Sequence, residues 1–253
     1  MGILKSDAIV LKAWKLRETS KIVSLYTRDY GKIKVVAKGA RDLKSKFKGC
    51  LEPLTCIRIV YYDKETRDLQ LLSHADLLNP HYHIIGDMQK TTLGLAAAEL
   101  IDRVVLGDAS LGKIFDLFEV YLAKIDGGAG FLEAYFWYFE THLIDAMGFR
   151  PLWNQCLRCG KSLGAEGGLF QPAAGGLVCS TCGSMAGGLK VHEETLEALY
   201  FLQRQSIDVV GRIDPAPAQK AEIRKIFDLY LRTHFEHLNS LRSLDFYYKL
   251  GMG

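Results

Sequence analysis

The sequence predicts an α+β protein of several domains, in which an N-terminal five-stranded β-barrel precedes an α-helical domain with a four-cysteine insertion. Three observations lead to this prediction. Runs of β-branched and aromatic residues fill the first third of the chain, apolar residues at helical spacing fill most of the rest, and four of the six cysteines form two close pairs. The predicted domains are residues 1–80 and 81–253, and the insertion spans residues 152–188.

Five short runs rich in β-branched and aromatic residues predict five strands, at residues 8–14, 22–27, 32–37, 54–62 and 69–75. The sequence Asp29-Tyr30-Gly31 predicts the hairpin turn between the second and third strands, and residues 63–67 predict the turn between the fourth and fifth. Five strands in about 80 residues is the size of an OB-fold barrel. The first domain is therefore predicted to be an OB-fold.

Beyond Asn79-Pro80 the apolar residues recur at helical spacing, which predicts helices over residues 87–105, 113–124, 131–147, 192–209 and 216–241. Five consecutive aromatic residues, 135–139, lie within the third of these helices. Aromatic residues at helical spacing are typical of a core, so we interpret them as packing residues rather than as a cofactor site.

The two cysteine pairs, Cys156-x2-Cys159 and Cys179-x2-Cys182, have the spacing of a zinc ribbon, in which four thiolates bind one Zn²⁺. Gly160 and Gly183 follow the pairs, where such a turn commonly requires positive φ. Disulfide pairing is the alternative. We predict one structural zinc that supplies folding free energy to a glycine-rich segment too small to fold alone. The other cysteines, Cys50 and Cys56, have apolar neighbours and are predicted to be small buried residues.

Composition is that of an ordinary soluble protein, with 49% hydrophobic and 24% charged residues, but the charge is unevenly distributed. The first 80 residues hold sixteen Lys and Arg against nine Asp and Glu, a net charge of +7, so the remaining residues carry −4 of the total of +3. This difference indicates that the N-terminal domain faces a polyanion. No apolar run is long enough to span a membrane and no signal peptide is evident, so we expect a cytoplasmic location.

A loop with many cations separates the third and fourth predicted strands, at residues 38–49. Lysine and arginine neutralise phosphates without regard to sequence, and an aromatic ring offers a face for base stacking. A solvated loop is the alternative interpretation. We predict that DNA is contacted by Lys32, Lys34, Lys38, Arg41, Lys44, Lys46, Phe47 and Lys48.

Several motifs in order resemble those of the bacterial RecO family of DNA repair and recombination proteins. In the N-terminal domain these are residues 7–11, 26–32, 37–41, 44–46 and 51–53. Farther along they are residues 148–151, the segment Cys156-x2-Cys159-Gly160, and residues 175–179 with Cys182. The resemblance covers nearly the whole chain.

The resemblance implies an N-terminal OB-fold, a helical domain with the zinc module, and a non-enzymatic role in the RecF recombination pathway. It also implies binding to single- and double-stranded DNA, annealing of complementary strands, and loading of recombinase together with RecR on strands coated by single-strand DNA-binding protein (SSB). The implied partners are RecR and the acidic C-terminal tail of SSB, with RecF and RecA involved indirectly. The implied location is the bacterial nucleoid.

Two other functions are weighed against this one. The segment Lys124-Ile125-Asp126-Gly127 matches the K-x-D-G pattern of nucleotidyltransferases, which would make Lys124 a covalent nucleophile of a ligase-like enzyme. That chemistry requires a large α/β domain ahead of the barrel, whereas here the barrel comes first. A basic OB-fold with a zinc module would also suit an RNA-binding protein. We predict no catalytic residue.

Overall fold

A computed structural model of the chain describes residues 2–64, 66–105, 111–163, 167–183, 188–236, 238 and 240–251. Its contacts form two compact units. Unit 1 comprises Met1–Gly128 and Leu241–Gly253, and unit 2 comprises Ala129–Ser240.

Five strands of unit 1 form a closed barrel in the order β1-β2-β3-β5-β4. Strands β3 and β5 are parallel, and the other neighbouring pairs are antiparallel. The strands are β1 (Gly2–Leu16), β2 (Ser20–Thr27), β3 (Gly31–Ala37), β4 (Cys56–Asp63) and β5 (Gln70–Asn79). Every predicted strand is present, and the predicted OB-like barrel followed by a helical region is confirmed. The predicted turn at residues 29–31 is also present, and Gly31 adopts φ 62° there.

Strand β1 closes the barrel because it is long enough to pair on both sides. Its first half is antiparallel to β4, from Gly2↔Asp63 to Ile9↔Cys56, and its second half is antiparallel to β2, ending at Leu16↔Ser20. A bulge lies between Val10 and Lys12 of β1. The pairing with β4 lies before this bulge, and most of the pairing with β2 lies after it. Strands β3 and β5 meet in a short parallel pairing, Val35↔Gln70 and Val36↔Leu71. Closure leaves the barrel without a long free edge.

Apolar side chains from all five strands fill the barrel, as the period-two pattern predicts. The buried cluster contains Ala8, Val10, Val23, Leu25, Val35, Ala37, Ile57, Ile59, Tyr61, Leu72 and Ala75, and it is completed by Phe47, Cys50 and Leu51 from the segment between β3 and β4. The prediction that Cys50 and Cys56 are buried is confirmed.

The helices of the described chain are α1 (Tyr82–Ile85), α2 (Met88–Val104), α3 (Leu111–Gly127), α4 (Leu132–Ala146), α5 (Glu193–Arg204), α6 (Ile207–Val210), α7 (Pro217–His234) and α8 (Arg242–Lys249). Helices α1–α3 and α8 belong to unit 1, and α4–α7 belong to unit 2. The domain boundary predicted at residue 80 remains a prediction, and the compact units group four described helices after that residue, α1–α3 and α8, with the barrel.

Two predicted helices were too long. The helix predicted at residues 192–209 is interrupted, because the Ser206 side chain accepts the Asp208 N–H and begins α6 as a new helix. The helix predicted at residues 216–241 ends at His234, since Phe235 has extended backbone angles (φ −126°, ψ 95°). The separate helix α8 was not predicted.

Ion pairs attach α2 and α3 to the outside of the barrel. The Arg28 guanidinium lies 2.5 Å from Asp116 Oδ1 and 3.3 Å from Glu119 Oε2, and it covers the Phe115 ring at 4.5 Å from the centroid. On α2, Asp102 lies 3.5 Å from Lys32 Nζ. These contacts give Arg28 and Lys32 structural roles.

Unit 2 combines four helices with a small antiparallel sheet in the order β7-β6-β8, formed by β6 (Gly168–Gln171), β7 (Gly176–Val178) and β8 (Leu189–Val191). Within the predicted aromatic run, Phe136, Trp137 and Phe139 are buried, which agrees with a packing role. The fully buried Glu133 of α4 forms a two-point ion pair with Arg224 of α7, at 2.6 and 2.7 Å. Such a pair satisfies the buried carboxylate.

Substitution of Gly94 tests the close contact of α2 with its neighbours. An added Cβ would lie 2.6 Å from Leu54 Cδ1, 3.6 Å from Ile125 and 3.7 Å from Ile84. Leu54 is 3% exposed, so its side chain is enclosed by neighbouring groups and has little room to move away. We expect Gly94→Val to lower the free energy of unfolding by about 1–3 kcal/mol. Denaturant unfolding measures it.

The matched control for this substitution is Gly112→Val on α3, where a Cβ would meet nothing within 4 Å. The control should change the free energy of unfolding by less than about 0.5 kcal/mol, since only helix propensity changes. Equal effects at the two positions would contradict the packing described here.

A second prediction concerns Glu140, which is buried on α4. Burial, and next the nearby Glu133 and Asp228 carboxylates, raise the pKa of Glu140 well above its ordinary value. The folded state therefore keeps a proton that the unfolded chain releases above its own pKa of about 4.3. Stability should fall as the pH rises from that value towards the folded pKa, with a slope of at most about 1.4 kcal/mol per pH unit.

Glu140→Gln removes this titration. The free energy of unfolding of the variant, minus that of the unsubstituted protein, should therefore be greater at pH 8 than at pH 5 by about 1 kcal/mol or more. Urea unfolding at several pH values measures the difference. Glu197→Gln, at an exposed site on α5, is the control for the same chemical change. Parallel stability curves for Glu140→Gln and the unsubstituted protein would refute the prediction.

Candidate nucleic-acid interface and metal centre

The segment between β3 and β4 carries most of the predicted DNA-contact residues, and it is packed against the barrel. Phe47 and Leu51 enter the barrel core, each 2% exposed. Arg41 donates from Nη1 to Arg17 O (3.0 Å) and to Glu18 O (2.6 Å), and Lys46 Nζ donates to Ser73 O (2.6 Å). The loop therefore presents its cations from fixed backbone positions.

The stacking role predicted for Phe47 is not supported by its position. The ring lies inside the barrel, where it fills the end of the core, and Lys46 Nζ lies 5.1 Å from its centroid. A base cannot stack on a ring that is buried in the barrel core. Phe47 instead anchors the loop.

The predicted cations divide into two groups. Lys32, Arg41 and Lys46 each contact the protein, Lys32 through the backbone carbonyl of Asp102 as well as its carboxylate. Within the described chain, the side chains of the other four predicted cations show neither an ion pair nor a hydrogen bond, and these residues are exposed: Lys34, Lys38, Lys44 and Lys48. The second group is the set with its charge directed to solvent.

The strand register brings two basic segments to one end of the barrel. The turn after Leu16↔Ser20 and the loop that begins after Lys21↔Ala37 both lie at that end. Their exposed cations include Lys15, Arg17, Lys38 and Arg41. We name the cations of this end, together with Lys44 and Lys48 of the loop, the basic rim. In OB-folds the corresponding turns flank the oligonucleotide-binding face.

The charge pattern did not single out Trp14, although it is a large exposed aromatic residue of the barrel. Its side chain is 36% exposed, on the opposite side of β1 from Ala13, which packs against the core. The period-two alternation of β1 was the signal that could have identified it.

The four predicted metal ligands come together in unit 2. The Sγ atoms of Cys156, Cys159, Cys179 and Cys182 all lie within 4.8 Å of one another. All six cysteines of the chain are free, and Cys159 Sγ lies 3.8 Å from Cys179 Sγ. A tetrahedral site with metal–sulfur bonds of about 2.3 Å has sulfur–sulfur distances of about 3.8 Å. The four sulfurs therefore fit a metal ion.

Backbone hydrogen bonds shape both cysteine turns and reach the sulfurs. Gly160 N donates to Cys156 O and Gly183 N donates to Cys179 O, each at 2.9 Å, and Cys179 N donates to Cys156 Sγ at 3.3 Å. The two turns are thus built alike and are joined directly. Gly160 has φ 71°, as predicted.

The prediction of positive φ at Gly183 is wrong, because that residue is absent from the left-handed positions of the described chain. Its lack of a side chain matters for another reason. A Cβ would lie 2.7 Å from Leu169 Cδ1 and 3.0 Å from Val178 Cγ2. Glycine is needed here for close packing of the turn on the small sheet.

The electrostatics of the cluster favour thiolates and demand a counter-charge. Burial acts to raise the pKa of the Cys156 thiol, but the backbone N–H groups of Cys179, Cys159 and Arg158 outweigh it and lower the pKa to about 6. The Cys182 N–H lowers the pKa of Cys179 in the same way. The adjacent Cys179 and Cys159 sulfurs raise the pKa of Cys182 to about 12. A full set of four thiolates therefore requires a bound cation.

His192 lies outside this cluster. Its Nδ1 contacts Glu222 Oε1 at 2.9 Å, and it is not among the side chains that converge on the four sulfurs. The site thus has four sulfur ligands and matches a closed structural centre.

The K-x-D-G segment lies at the end of α3, with Lys124 in the last turn. Asp126 Oδ1 accepts the Ile84 N–H at 2.9 Å, and its backbone carbonyl accepts from Lys90 Nζ. These contacts give the aspartate of the motif a structural role in unit 1.

Among the described residues, every helix is too short or too polar to cross a lipid bilayer.

Comparison with known proteins identifies a family whose two models together match most of the chain. The family described as "Recombination protein O N terminal" matches residues 1–81, and "Recombination protein O C terminal" matches residues 85–245. The DNA repair protein RecO of Caldanaerobacter subterraneus subsp. tengcongensis is 30% identical over 251 residues, 99% of each chain. Those of Chloroherpeton thalassium and Koribacter versatilis are 30% and 31% identical and cover 98% and 92% of this chain, and 99% and 93% of their own. The chain therefore belongs to the RecO family of DNA repair proteins.

Proposed function

We propose that this protein is a non-enzymatic recombination mediator that binds single- and double-stranded DNA through the basic rim and anneals complementary strands. The observation that carries the proposal is a set of exposed lysines on an OB-like barrel, in a chain of the RecO family: Lys38, Lys44 and Lys48 of the basic rim, and Lys34 of the adjoining strand β3. The first 80 residues, which hold these lysines, have a net charge of +7. Contacts of lysine with phosphate are independent of base sequence.

Annealing follows from phosphate neutralisation. Two complementary strands repel each other, and a surface that holds both while releasing their counterions reduces this repulsion. Neither a nucleophile nor a nucleotide pocket is needed for that step. The rigid attachment of the loop by Arg41 and Lys46 keeps the lysine backbones in place while their long side chains adapt to different strands.

The wider role in the proposal is loading of recombinase, together with RecR, on single strands coated by SSB. It comes from membership of the RecO family, whose relatives are named DNA repair proteins. In this proposal the helical region receives the acidic, apolar C-terminal tail of SSB, RecF and RecA act indirectly, and the protein works at the nucleoid in the cytoplasm.

The metal ion of the cysteine cluster is zinc in this proposal, and its role is structural. Four thiolates at tetrahedral spacing suit Zn²⁺, and a four-ligand site leaves no open position for catalysis. The buried cluster Cys156, Val178 and Cys179 has only partly buried apolar neighbours, Leu157, Leu163, Leu169 and Cys182, so the metal would supply much of the folding free energy of this part of unit 2.

Charge reversal in the loop tests the DNA-binding proposal. In Lys44→Glu/Lys48→Glu, both cations are exposed and neither holds the loop in place. The affinity for a single-stranded oligonucleotide should fall at low salt. The slope of log K against log [salt] should become shallower by about 1.4, at about 0.7 per lost phosphate contact. Fluorescence anisotropy titrations between about 50 and 200 mM salt measure both quantities.

The matched control is Lys190→Glu/Lys225→Glu, which makes the same change of net charge at exposed lysines of unit 2. Its salt slope should equal that of the unsubstituted protein. An unchanged slope in the loop variant would place the DNA-binding surface elsewhere. Tighter binding of RNA than of DNA of matched sequence would favour an RNA-binding function instead.

A further prediction concerns the metal. Protein purified under reducing conditions should contain one zinc per chain, and Cys156→Ser and Cys179→Ser should lose it and expose unit 2 to proteolysis. Elemental analysis and limited proteolysis measure these effects. Cys50→Ser is the control, because that thiol lies in the barrel core. Stoichiometric zinc in both cluster variants, or none in the unsubstituted protein, would contradict the prediction.

A further inference from the structure

Six apolar side chains form a continuous row around the outside of the barrel, one step from strand to strand. In the strand register Trp14 is opposite Ile22, Ile22 is opposite Val36, Val36 is opposite Leu71, Leu71 is opposite Tyr62, and Tyr62 is opposite Ile3. We name this row the outer belt. It starts and ends on β1 at different heights, as the stagger of a closed barrel requires.

The pleat shows that the outer belt faces away from the core. The chain neighbours Ala13, Val23, Val35, Tyr61 and Leu72 all pack in the barrel interior, and alternate residues of a strand point to opposite faces. Ile3 is 68% exposed and Trp14 is 36% exposed, while the other four side chains are half-buried. A row of apolar side chains on the solvent face of a barrel marks a binding surface.

Lysines border the outer belt on both sides. On one side, Lys12 is two residues from Trp14 on β1, and Lys34 is two residues from Val36 on β3. These lysines lie in the row Lys12↔Ser24↔Lys34. On the other side, Lys5 and Lys38 are two residues from Ile3 and Val36. All four lysines are exposed, and the described chain shows no ion pair for any of them. The surface is an apolar strip with two lysines on each side, and on the side of Lys12 and Lys34 the Ser24 hydroxyl between them donates to the Asp102 carboxylate of α2.

We propose that the outer belt is the site that recognises unpaired bases, so that a single strand crosses the barrel with its bases on the belt and its phosphates on the flanking lysines. This inference rests on the proposed DNA-binding function and assigns base contact to a surface separate from the loop. The charge arrangement matches a polyanion with flat apolar faces.

Trp14 is the main stacking residue of the belt. It is the largest exposed ring of the row, and Lys12 Nζ lies 5.8 Å from its ring centroid, close enough to reach the phosphate of a stacked nucleotide. Tyr62 supplies a second ring farther along. Bases inside a duplex have no free faces, so the belt distinguishes single strands from duplexes, whereas the basic rim attracts both.

The test compares an oligo(dT) with an abasic strand of the same length, which has the same phosphates and no bases. The full-length protein should bind oligo(dT) more tightly. Trp14→Ala should weaken oligo(dT) binding about 5- to 140-fold and change abasic-strand and duplex binding less than about twofold, whereas Trp14→Phe should retain most of the affinity. Leu43→Ala, a truncation of a 98% exposed apolar residue in the loop, is the control and should change none of these affinities.

Intrinsic fluorescence provides an independent measurement. Trp137 and Trp153 are 1% and 2% exposed, so quenching by oligo(dT) should report Trp14. The quenching should disappear in Trp14→Phe while binding, followed by anisotropy, persists. Thermal unfolding of each variant shows whether the barrel is intact.

Three results would overturn the inference. Equal, salt-dependent affinity for oligo(dT) and the abasic strand would refute base recognition by the outer belt. The proposed DNA-binding function would still stand, and the outer belt would then be assigned to protein contact. Equal weakening of all three ligands by Trp14→Ala would show a structural effect instead of base contact. Absence of binding to any strand would refute the inference and the proposed function together.

Discussion

Strand β1 pairs with β4 through its first half and with β2 through its second half, and this double pairing determines the rest of unit 1. It joins the first and last strands of the sheet, so the barrel has a defined interior and a continuous outer surface. The interior receives Phe47 and Leu51, which fixes the loop between β3 and β4. The exterior receives α2 and α3 over one part of the barrel and leaves the outer belt and the basic rim exposed over another.

The cations of the barrel are divided by this arrangement. Arg28 and Lys32 lie under the helices, where carboxylates of α2 and α3 pair with them and hold the helices in place. Lys34, Lys38, Lys44 and Lys48 lie where the described chain offers no carboxylate partner, so their charge remains available to a polyanion. Unit 2 has its own constraint, because four cysteine sulfurs lie within 4.8 Å of one another, an arrangement that could hold a metal ion.

Sequence reasoning recovered the features that are written in local periodicity. The five strands follow from period-two alternation, and the cluster of four sulfurs follows from the spacing of Cys156, Cys159, Cys179 and Cys182. Phe47 was misjudged because an irregular loop has no period that tells an inward side chain from an outward one. The structural roles of Arg28 and Lys32 were invisible because their partners, Asp116 and Asp102, lie far away in the sequence. The outer belt depends on register across five strands, which composition does not reveal.

Strand annealing in the absence of any nucleotide cofactor tests the central claim most directly, because a mediator that acts through neutralised phosphates needs no chemical step. Two complementary oligonucleotides labelled with a fluorescence donor and acceptor would be mixed with the purified protein without ATP or NAD over a salt series. The account predicts that the protein accelerates annealing and that the acceleration declines as salt increases. No acceleration at any salt concentration, with sealing of a nicked duplex once ATP or NAD is added, would contradict it and identify an enzyme instead.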